Sequence, residues 1–95
     1  MRQEGQGAPS TPPATQTVDA RGLRCPLPVI RLAQAAAGQP AGTVLELWAT
    51  DPAARADVPA WCRMRGHELV GVTEGGDVRG GHTAYTVRLR EQPAP

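Results

Sequence analysis

The sequence predicts a two-layer α/β sandwich, in which two helices cover one face of a four-stranded mixed sheet in the order βαβαββ. Three observations lead to this prediction. A chain of 95 residues suits one small domain. Segments in which apolar and polar residues alternate, as in strands, are interleaved with segments in which apolar residues recur every three or four positions, as in helices. Glycine and proline separate these segments.

Both ends of the chain are predicted to lie outside this domain. Residues 1–16 are rich in Gly, Pro, Ser, Thr and Gln and contain few apolar residues, which is typical of a disordered tail. Residues 91–95 are expected to fray, because they contain two prolines and little that a core would bury. We therefore expect the folded domain to span residues 17–90.

The first elements of the domain are a short strand and a helix. The strand is predicted over residues 17–20 and the helix over residues 26–37. Pro26 and Pro28 favour a helix start, because the N–H groups of a first turn have no helical partner and their loss costs little. The apolar residues of this helix recur at helical spacing: Val29, Leu32, Ala33 and Ala36. We expect that stripe to face the sheet.

The second strand and the second helix follow. Residues 43–50 alternate as a strand does, and the apolar face carries Leu45, Leu47 and Ala49. Pro59 is expected to divide the next segment into a first turn at 52–56 and a helix over 58–66 that Asp57 caps. The stripe of this helix that faces the core is predicted to contain Val58, Trp61 and Cys62.

The last two elements are both strands. The third strand is predicted over residues 67–74, with Val70 and Val72 on one face. Residues 75–81 contain four glycines and are predicted to form a turn. The fourth strand is predicted over residues 83–90, and its apolar face carries Tyr85, Val87 and Leu89.

Charge and hydropathy exclude some classes of function. The chain has ten arginines, no lysine and nine carboxylate side chains, and the arginines are dispersed among acidic residues. Direct binding to nucleic acid, which needs a clustered basic face, is therefore not expected. Its apolar runs are far shorter than the ~18 residues that a membrane helix needs. Because no signal-peptide pattern is visible, the sequence predicts a cytoplasmic protein.

Cys25 is the main candidate for a reactive residue. It directly precedes the first helix, where unpaired N–H groups and the helix dipole favour an anion. Arg21 and Arg24 lie just upstream, and Pro26 and Pro28 make the approach to the helix rigid. We therefore expect an exposed, nucleophilic thiolate. The alternative is an ordinary buried cysteine at a helix start.

Asp51 and Trp48 each have two interpretations. Asp51 is most simply a residue that caps the second helix, but it also becomes a residue at the rim of the Cys25 site if the first two strands are parallel. Trp48 is expected on the sheet face away from the helices, where it either packs over a neighbouring strand or contacts a partner protein.

The remaining ionisable residues predict no further site. Cys62 lies in the inward stripe of the second helix, so it is expected to be an inert core residue that forms no disulfide with Cys25. His67 is expected to be a solvated or hydrogen-bonded residue at a strand end. Together with His82, these side chains do not have the spacing of a zinc site. The sequence predicts neither a metal nor an organic cofactor.

The segment VDARGLRCPLP, residues 18–28, resembles the signature of the TusA/SirA-like sulfur-carrier proteins, in which Cys-Pro-x-Pro begins a helix. Further segments resemble the same family at the same spacing: Asp51-Pro52-Ala53, Asp57-Val58-Pro59, Trp61-Cys62 and His67-Glu68-Leu69-Val70. The resemblance covers about residues 17–90. It is specific because several segments agree in register across one short domain.

The resemblance implies a sulfurtransferase that acts as a persulfide carrier. Cys25 would accept sulfane sulfur from a donor, such as a cysteine desulfurase or a rhodanese-like protein, and pass it to an acceptor protein. Arg24, Pro26, Pro28 and Asp51 would support it. The pathway stays open among tRNA thiolation, molybdenum-cofactor supply, sulfur oxidation and selenium-linked roles, and so does the oligomeric state.

Two departures from the family pattern concern the choice of partners. Leu27 stands at the variable position of Cys-Pro-x-Pro, where members of the thiouridine pathway usually carry Glu, and residues 33–37 lack the basic residues that such members tend to have. The alternative function is a non-catalytic regulatory or interaction module on the same fold, in which the sheet face around Trp48 binds a partner.

Overall fold

The computed structural model describes residues 16–75 and 81–90, and its elements follow the predicted order βαβαββ. The strands and helices are β1 (Gln16–Ala20), α1 (Leu27–Ala36), β2 (Val44–Ala49), α2 (Ala54–Arg65), β3 (Glu68–Thr73) and β4 (Thr83–Arg88). Gln16, which we predicted as the end of the tail, is instead the first residue of β1. The rest of the predicted tail, most of the glycine-rich turn and the predicted frayed end at 91–95 lie outside the described residues.

The four strands form one mixed sheet in the order β1-β2-β4-β3. β1 runs parallel to β2, and β4 runs antiparallel to both of its neighbours. The predicted α/β fold with a mixed sheet is therefore confirmed. Because β1 and β2 are parallel, their carboxyl ends meet at one edge of the sheet, and the loops that lead into α1 and α2 begin side by side there.

The core lies between the two helices and one face of the sheet. Leu47, at the centre of this face, pairs with Val18 on one side and Tyr85 on the other. The apolar stripes predicted for the two helices face this core. Their buried side chains are Leu32 and Ala36 from α1, and Val58, Trp61 and Cys62 from α2. None of the described helices has the length and apolar character that crossing a membrane requires.

The predicted division of the second helix is wrong. α2 is a continuous helix of 12 residues with Pro59 inside it, and Asp57 lies in its first turn rather than at its cap. Asp51 begins the helical turn instead, since its carbonyl accepts a hydrogen bond from the Ala54 N–H at 3.0 Å. Pro59 removes only one backbone hydrogen bond, and the complete burial of Val58 helps to offset that loss.

The predicted alternation in the third strand is also wrong. Leu69 pairs with Val87 and Gly71 with Thr86, so Val70 is an extra residue in a β-bulge. The bulge reverses the alternation after Leu69. Val72, opposite Tyr85, therefore shares the helix-covered face with Leu69 rather than with Val70.

Candidate active site around Cys25

Two side-chain to backbone hydrogen bonds join the loops at the carboxyl ends of β1 and β2. The Gly22 N–H donates to Thr50 Oγ1 at 2.8 Å, and the Cys25 N–H donates to Asp51 Oδ2 at 2.5 Å. The second oxygen of Asp51, Oδ1, accepts from the Ala53 N–H at 3.1 Å. Asp51 therefore lies beside Cys25 and holds its backbone, and the same carboxylate accepts a hydrogen bond in the turn that precedes α2, although the N-cap residue of that helix is Ala53 rather than Asp51.

Cys25 is an exposed free thiol, as predicted. Pro26 occupies the N-cap position of α1, where its carbonyl accepts a hydrogen bond from the Ile30 N–H at 3.1 Å, and Pro28 is buried in the first turn. Cys62 is also a free thiol, but it is buried in the core, and burial raises the pKa of its thiol to about 11. In the described part of the chain, Cys25 is thus the cysteine that a second protein can reach.

The predicted stabilisation of a Cys25 thiolate is wrong. The Asp57 carboxylate accepts a hydrogen bond from Cys25 Sγ and raises the pKa of that thiol above its ordinary value. Some loss of hydration at the sulfur and the charges of Asp57 and Asp51 act in the same direction. Two carboxylates close to the sulfur outweigh the weaker partial charge of a helix start, so the structure favours a neutral thiol.

The two arginines upstream of Cys25 are engaged elsewhere. Arg21 pairs with Asp19, with Nη2 and Oδ2 2.8 Å apart, and its guanidinium lies 5.0 Å from the ring centre of Trp48. The hydrogen bonds from Arg21 lower the pKa of Asp19 to about 2. Hydrogen bonds from the Cys25 and Ala53 N–H groups lower the pKa of Asp51, and the charge of Arg24 adds to this effect. Neither guanidinium is among the groups that shift the pKa of Cys25.

Trp48 packs on the sheet face away from the helices, as we predicted. It is partly buried and stacks on His82, with ring centroids 4.7 Å apart, while Arg21 covers its ring as described above. Trp48 therefore packs against His82 and Arg21, which lie just outside the strands rather than on a neighbouring strand, and its role as a partner contact stays a prediction.

His67 is hydrogen-bonded rather than solvated. It is buried, and its Nδ1 accepts the Arg90 N–H at 3.0 Å. This contact joins the start of β3 to the segment that follows β4. No metal-binding group of three or more His, Cys, Asp or Glu side chains occurs in the described ranges.

A shallow groove of about 220 Å³ lies between α1 and α2, with Cys25 as part of its wall. Its other lining residues are Pro26, Val29, Asp57, Ala60, Trp61 and Met64. Among the lining residues that the structure describes, Asp57 alone has an acidic side chain. The exposed apolar side chains of Leu27, Ile30 and Met64 also belong to these two helices.

Asp57 is the site residue that the sequence analysis missed, because it was interpreted as a helix cap. A signal was present in the sequence. Asp57, Ala60, Trp61 and Met64 recur at helical spacing, so a helix that continued through Pro59 would place a carboxylate in the same stripe as Trp61.

The family model described as sulfurtransferase TusA matches residues 16–89. The chain belongs to the TusA sulfurtransferase family. The matched range covers both helices and all four strands, and Cys25 lies in the Cys-Pro-x-Pro segment that opens α1.

Several curated relatives of this TusA-family chain are similar to it over most of the folded domain. A sulfur carrier protein TusA from Pseudomonas entomophila is 48% identical over 58 residues, which cover 61% of this chain and 72% of that protein. The putative sulfur carrier protein YrkI from Bacillus subtilis is 40% identical over 63 residues, 66% of this chain and 84% of YrkI. The putative sulfur carrier protein YrkF from the same organism is 40% identical over 65 residues, 68% of this chain but only 35% of YrkF.

Proposed function

We propose that this protein is a sulfur carrier that accepts sulfane sulfur on Cys25 as a persulfide and delivers it to an acceptor protein. The observation that carries the proposal is the exposed Cys25 thiol at the start of α1, beside an open groove. An open position suits a carrier, because a donor protein and an acceptor protein must each reach the same sulfur. The names of two relatives, a sulfur carrier protein TusA and the putative sulfur carrier protein YrkI, support the proposal.

The proposed loading step is an exchange between sulfur atoms. The Cys25 sulfur attacks the outer sulfur of a donor persulfide, so a new S–S bond forms at Cys25 and the S–S bond of the donor breaks. The bonding electron pair leaves with the donor thiolate, which takes up the proton that Cys25 releases. Delivery repeats the exchange, with an acceptor thiolate attacking the outer sulfur on Cys25. Neither step needs an added oxidant or reductant.

The surrounding residues have supporting roles in this proposal. Asp51 fixes the backbone of Cys25 through the N–H bond, and Arg24 favours the ionised form of Asp51. Pro26 and Pro28 limit the motion of the loop that presents the thiol. Asp57 raises the pKa of the free Cys25 thiol, which favours its protonated form.

The donor and acceptor are proposed only as classes. A cysteine desulfurase or a rhodanese-like protein in the cytoplasm would supply the sulfur, and an acceptor protein of tRNA thiolation, molybdenum-cofactor supply, sulfur oxidation or selenium-linked metabolism would receive it. Leu27 presents an apolar side chain, 45% exposed, beside Cys25, so an apolar contact in the partner is expected there.

Intact-mass measurement tests the proposal directly. The wild-type protein and its Cys25→Ala and Cys62→Ala variants are incubated with a cysteine desulfurase and cysteine, or with inorganic polysulfide. We expect a gain of one sulfur, about 32 Da, in the wild type and in Cys62→Ala but not in Cys25→Ala, and we expect a reductant to reverse it.

A sulfur gain that persists in Cys25→Ala would contradict the assignment to Cys25. The absence of any gain from either donor, while a known acceptor gains sulfur in parallel, would contradict the carrier function and favour the interaction module.

A further inference from the structure

The groove beside Cys25 combines a carboxylate with apolar walls. Of the described residues that line it, Asp57 is the acidic one, and Val29, Ala60, Trp61 and Met64 are apolar. Asp57 is partly buried, lines the same groove as Cys25, and raises the pKa of the Cys25 thiol through a side-chain hydrogen bond. Met64 is 77% exposed, so the groove is open to a second protein.

Asp57 has no cation beside it within the ranges that the structure describes. The described ion pairs join arginines to Asp19, Glu68 and Glu74 instead. A carboxylate that is partly withdrawn from water and lacks a cation is stabilised when one is supplied. The same cation would offset the negative charge that opposes ionisation of Cys25.

We propose that this groove receives a Lys or Arg side chain of the sulfur donor protein, whose charged head pairs with Asp57 while its aliphatic stem lies along the apolar walls. The inference rests on the proposed carrier function. Charge complementarity identifies this occupant, since an acidic side chain would meet both Asp57 and the developing thiolate. Long basic side chains combine an apolar stem with a charged head, and Trp61 is one of the apolar residues that line the groove beside that stem.

Docking and activation are coupled in this arrangement. The Cys25 thiol is harder to ionise while Asp57 faces it alone, and it becomes easier to ionise when the donor's cation reaches Asp57. The donor cysteine persulfide then meets a more nucleophilic Cys25, and sulfur exchange proceeds with the atom balance given above. A donor without a basic residue near its persulfide would load Cys25 more slowly.

Matched peptides that carry a cysteine persulfide test this inference. The two peptides of a pair differ at one position, which lies one to four residues from the cysteine. This position holds Arg in one peptide and citrulline, which is neutral and nearly isosteric with Arg, in the other. The rate of sulfur transfer to Cys25 is followed by intact mass. For at least one placement, we expect the wild-type protein to accept sulfur about fivefold faster from the Arg peptide, the effect of one modest ion pair.

Comparison of three variants tests whether the preference for the Arg peptide depends on Asp57. Asp57→Asn should bring the rate ratio close to one. Met64→Lys, which alters an exposed side chain and places a competing cation at the groove, should also lower the ratio. Glu46→Gln removes the same charge from a residue on the opposite face of the sheet and should keep the preference.

Equal rates from both peptides of every pair in the wild type would overturn the inference while leaving the carrier function intact. A preference that persists in Asp57→Asn, or that Glu46→Gln reduces as strongly, would also overturn it. Failure of every persulfide peptide and of inorganic polysulfide to load Cys25 would overturn the proposed function, and this inference with it.

Discussion

Cys25 is held by two carboxylates that act on different parts of the same residue. Asp51 accepts the backbone N–H and thereby fixes the loop, whereas Asp57 accepts the thiol and affects its ionisation. Both charges disfavour a thiolate. The free protein therefore combines an accessible sulfur with a low fraction of its reactive form.

The first prediction at the residue scale concerns Asp57→Asn. Loss of the carboxylate should lower the pKa of Cys25, because the neutral amide removes a negative charge from beside the sulfur. Below that pKa, each unit of decrease gives about tenfold more thiolate at a given pH. The rate of iodoacetamide alkylation, measured against pH by mapping the Cys25 peptide, should show a lower midpoint in the variant.

Glu46→Gln is the matched control for this measurement, since it removes a carboxylate that lies on the other face of the sheet. Its midpoint should equal that of the wild type. A wild-type midpoint below the ordinary range of a cysteine, or no change in Asp57→Asn, would contradict the role that we assign to Asp57.

At the scale of elements, His67 connects α2 to the two strands that end the domain. The left-handed residue Gly66 ends α2, and the backbone N–H of His67 then donates a hydrogen bond to the Cys62 carbonyl at 2.8 Å. The ring centroids of His67 and Trp61 lie 5.0 Å apart. The Nδ1 atom of His67 accepts the Arg90 N–H. Only an unprotonated Nδ1 can accept this bond, so the packing requires a neutral imidazole.

The pH dependence of stability follows from this contact. Burial, with a contribution from the charge of Arg65, lowers the pKa of His67 below its ordinary value of 6.5. The unfolded chain therefore binds the proton first, and the free energy of unfolding should decrease as the pH falls from about 6.5 towards the folded-state pKa. Urea unfolding at pH 7.5 and at pH 5 measures this decrease.

His67→Asn isolates the contribution of His67. Asparagine keeps an acceptor but does not titrate, so the decrease in unfolding free energy between the two pH values should be smaller in the variant. All other ionisable groups are the same in both proteins, so their contributions cancel in the comparison. An equal decrease in both proteins would assign the pH dependence to those other groups.

At the scale of the whole molecule, one small core must stabilise both layers. Leu47 lies at its centre, is completely buried and belongs to the strand that pairs with β1 and β4. Small domains bury a smaller fraction of their surface than large ones, so each central side chain contributes a large share of stability.

Leu47→Ala should therefore lower the free energy of unfolding by about 2–5 kcal/mol, through lost burial and the cavity left behind. Leu27→Ala, at a position 45% exposed, should change it by less than about 1 kcal/mol. Equilibrium urea unfolding compares the two variants. Similar losses in both would show that the core is not concentrated at Leu47.

Most of the fold could be predicted, because strands and helices have local periodicities and this chain keeps them. The predicted bounds of α1 differ from the observed helix by one residue at each end. The predictions were wrong where tertiary packing outweighed a local sequence preference. Pro59 stays inside α2 because the helix buries Val58, and the bulge at Val70 changes an alternation that the sequence alone presents as regular.

The sequence by itself determined the order of the elements, the core stripes, the family resemblance and the choice of Cys25 over Cys62 as the accessible thiol. Tertiary structure alone decided that Asp57 of α2 meets that thiol and that Arg21 turns away to Asp19 and Trp48. The physical reason is that periodicity is a property of neighbouring residues, whereas the ionisation of a thiol depends on charges within a few ångströms in space. Asp57 reaches Cys25 only because α1 and α2 pack side by side on one face of the sheet.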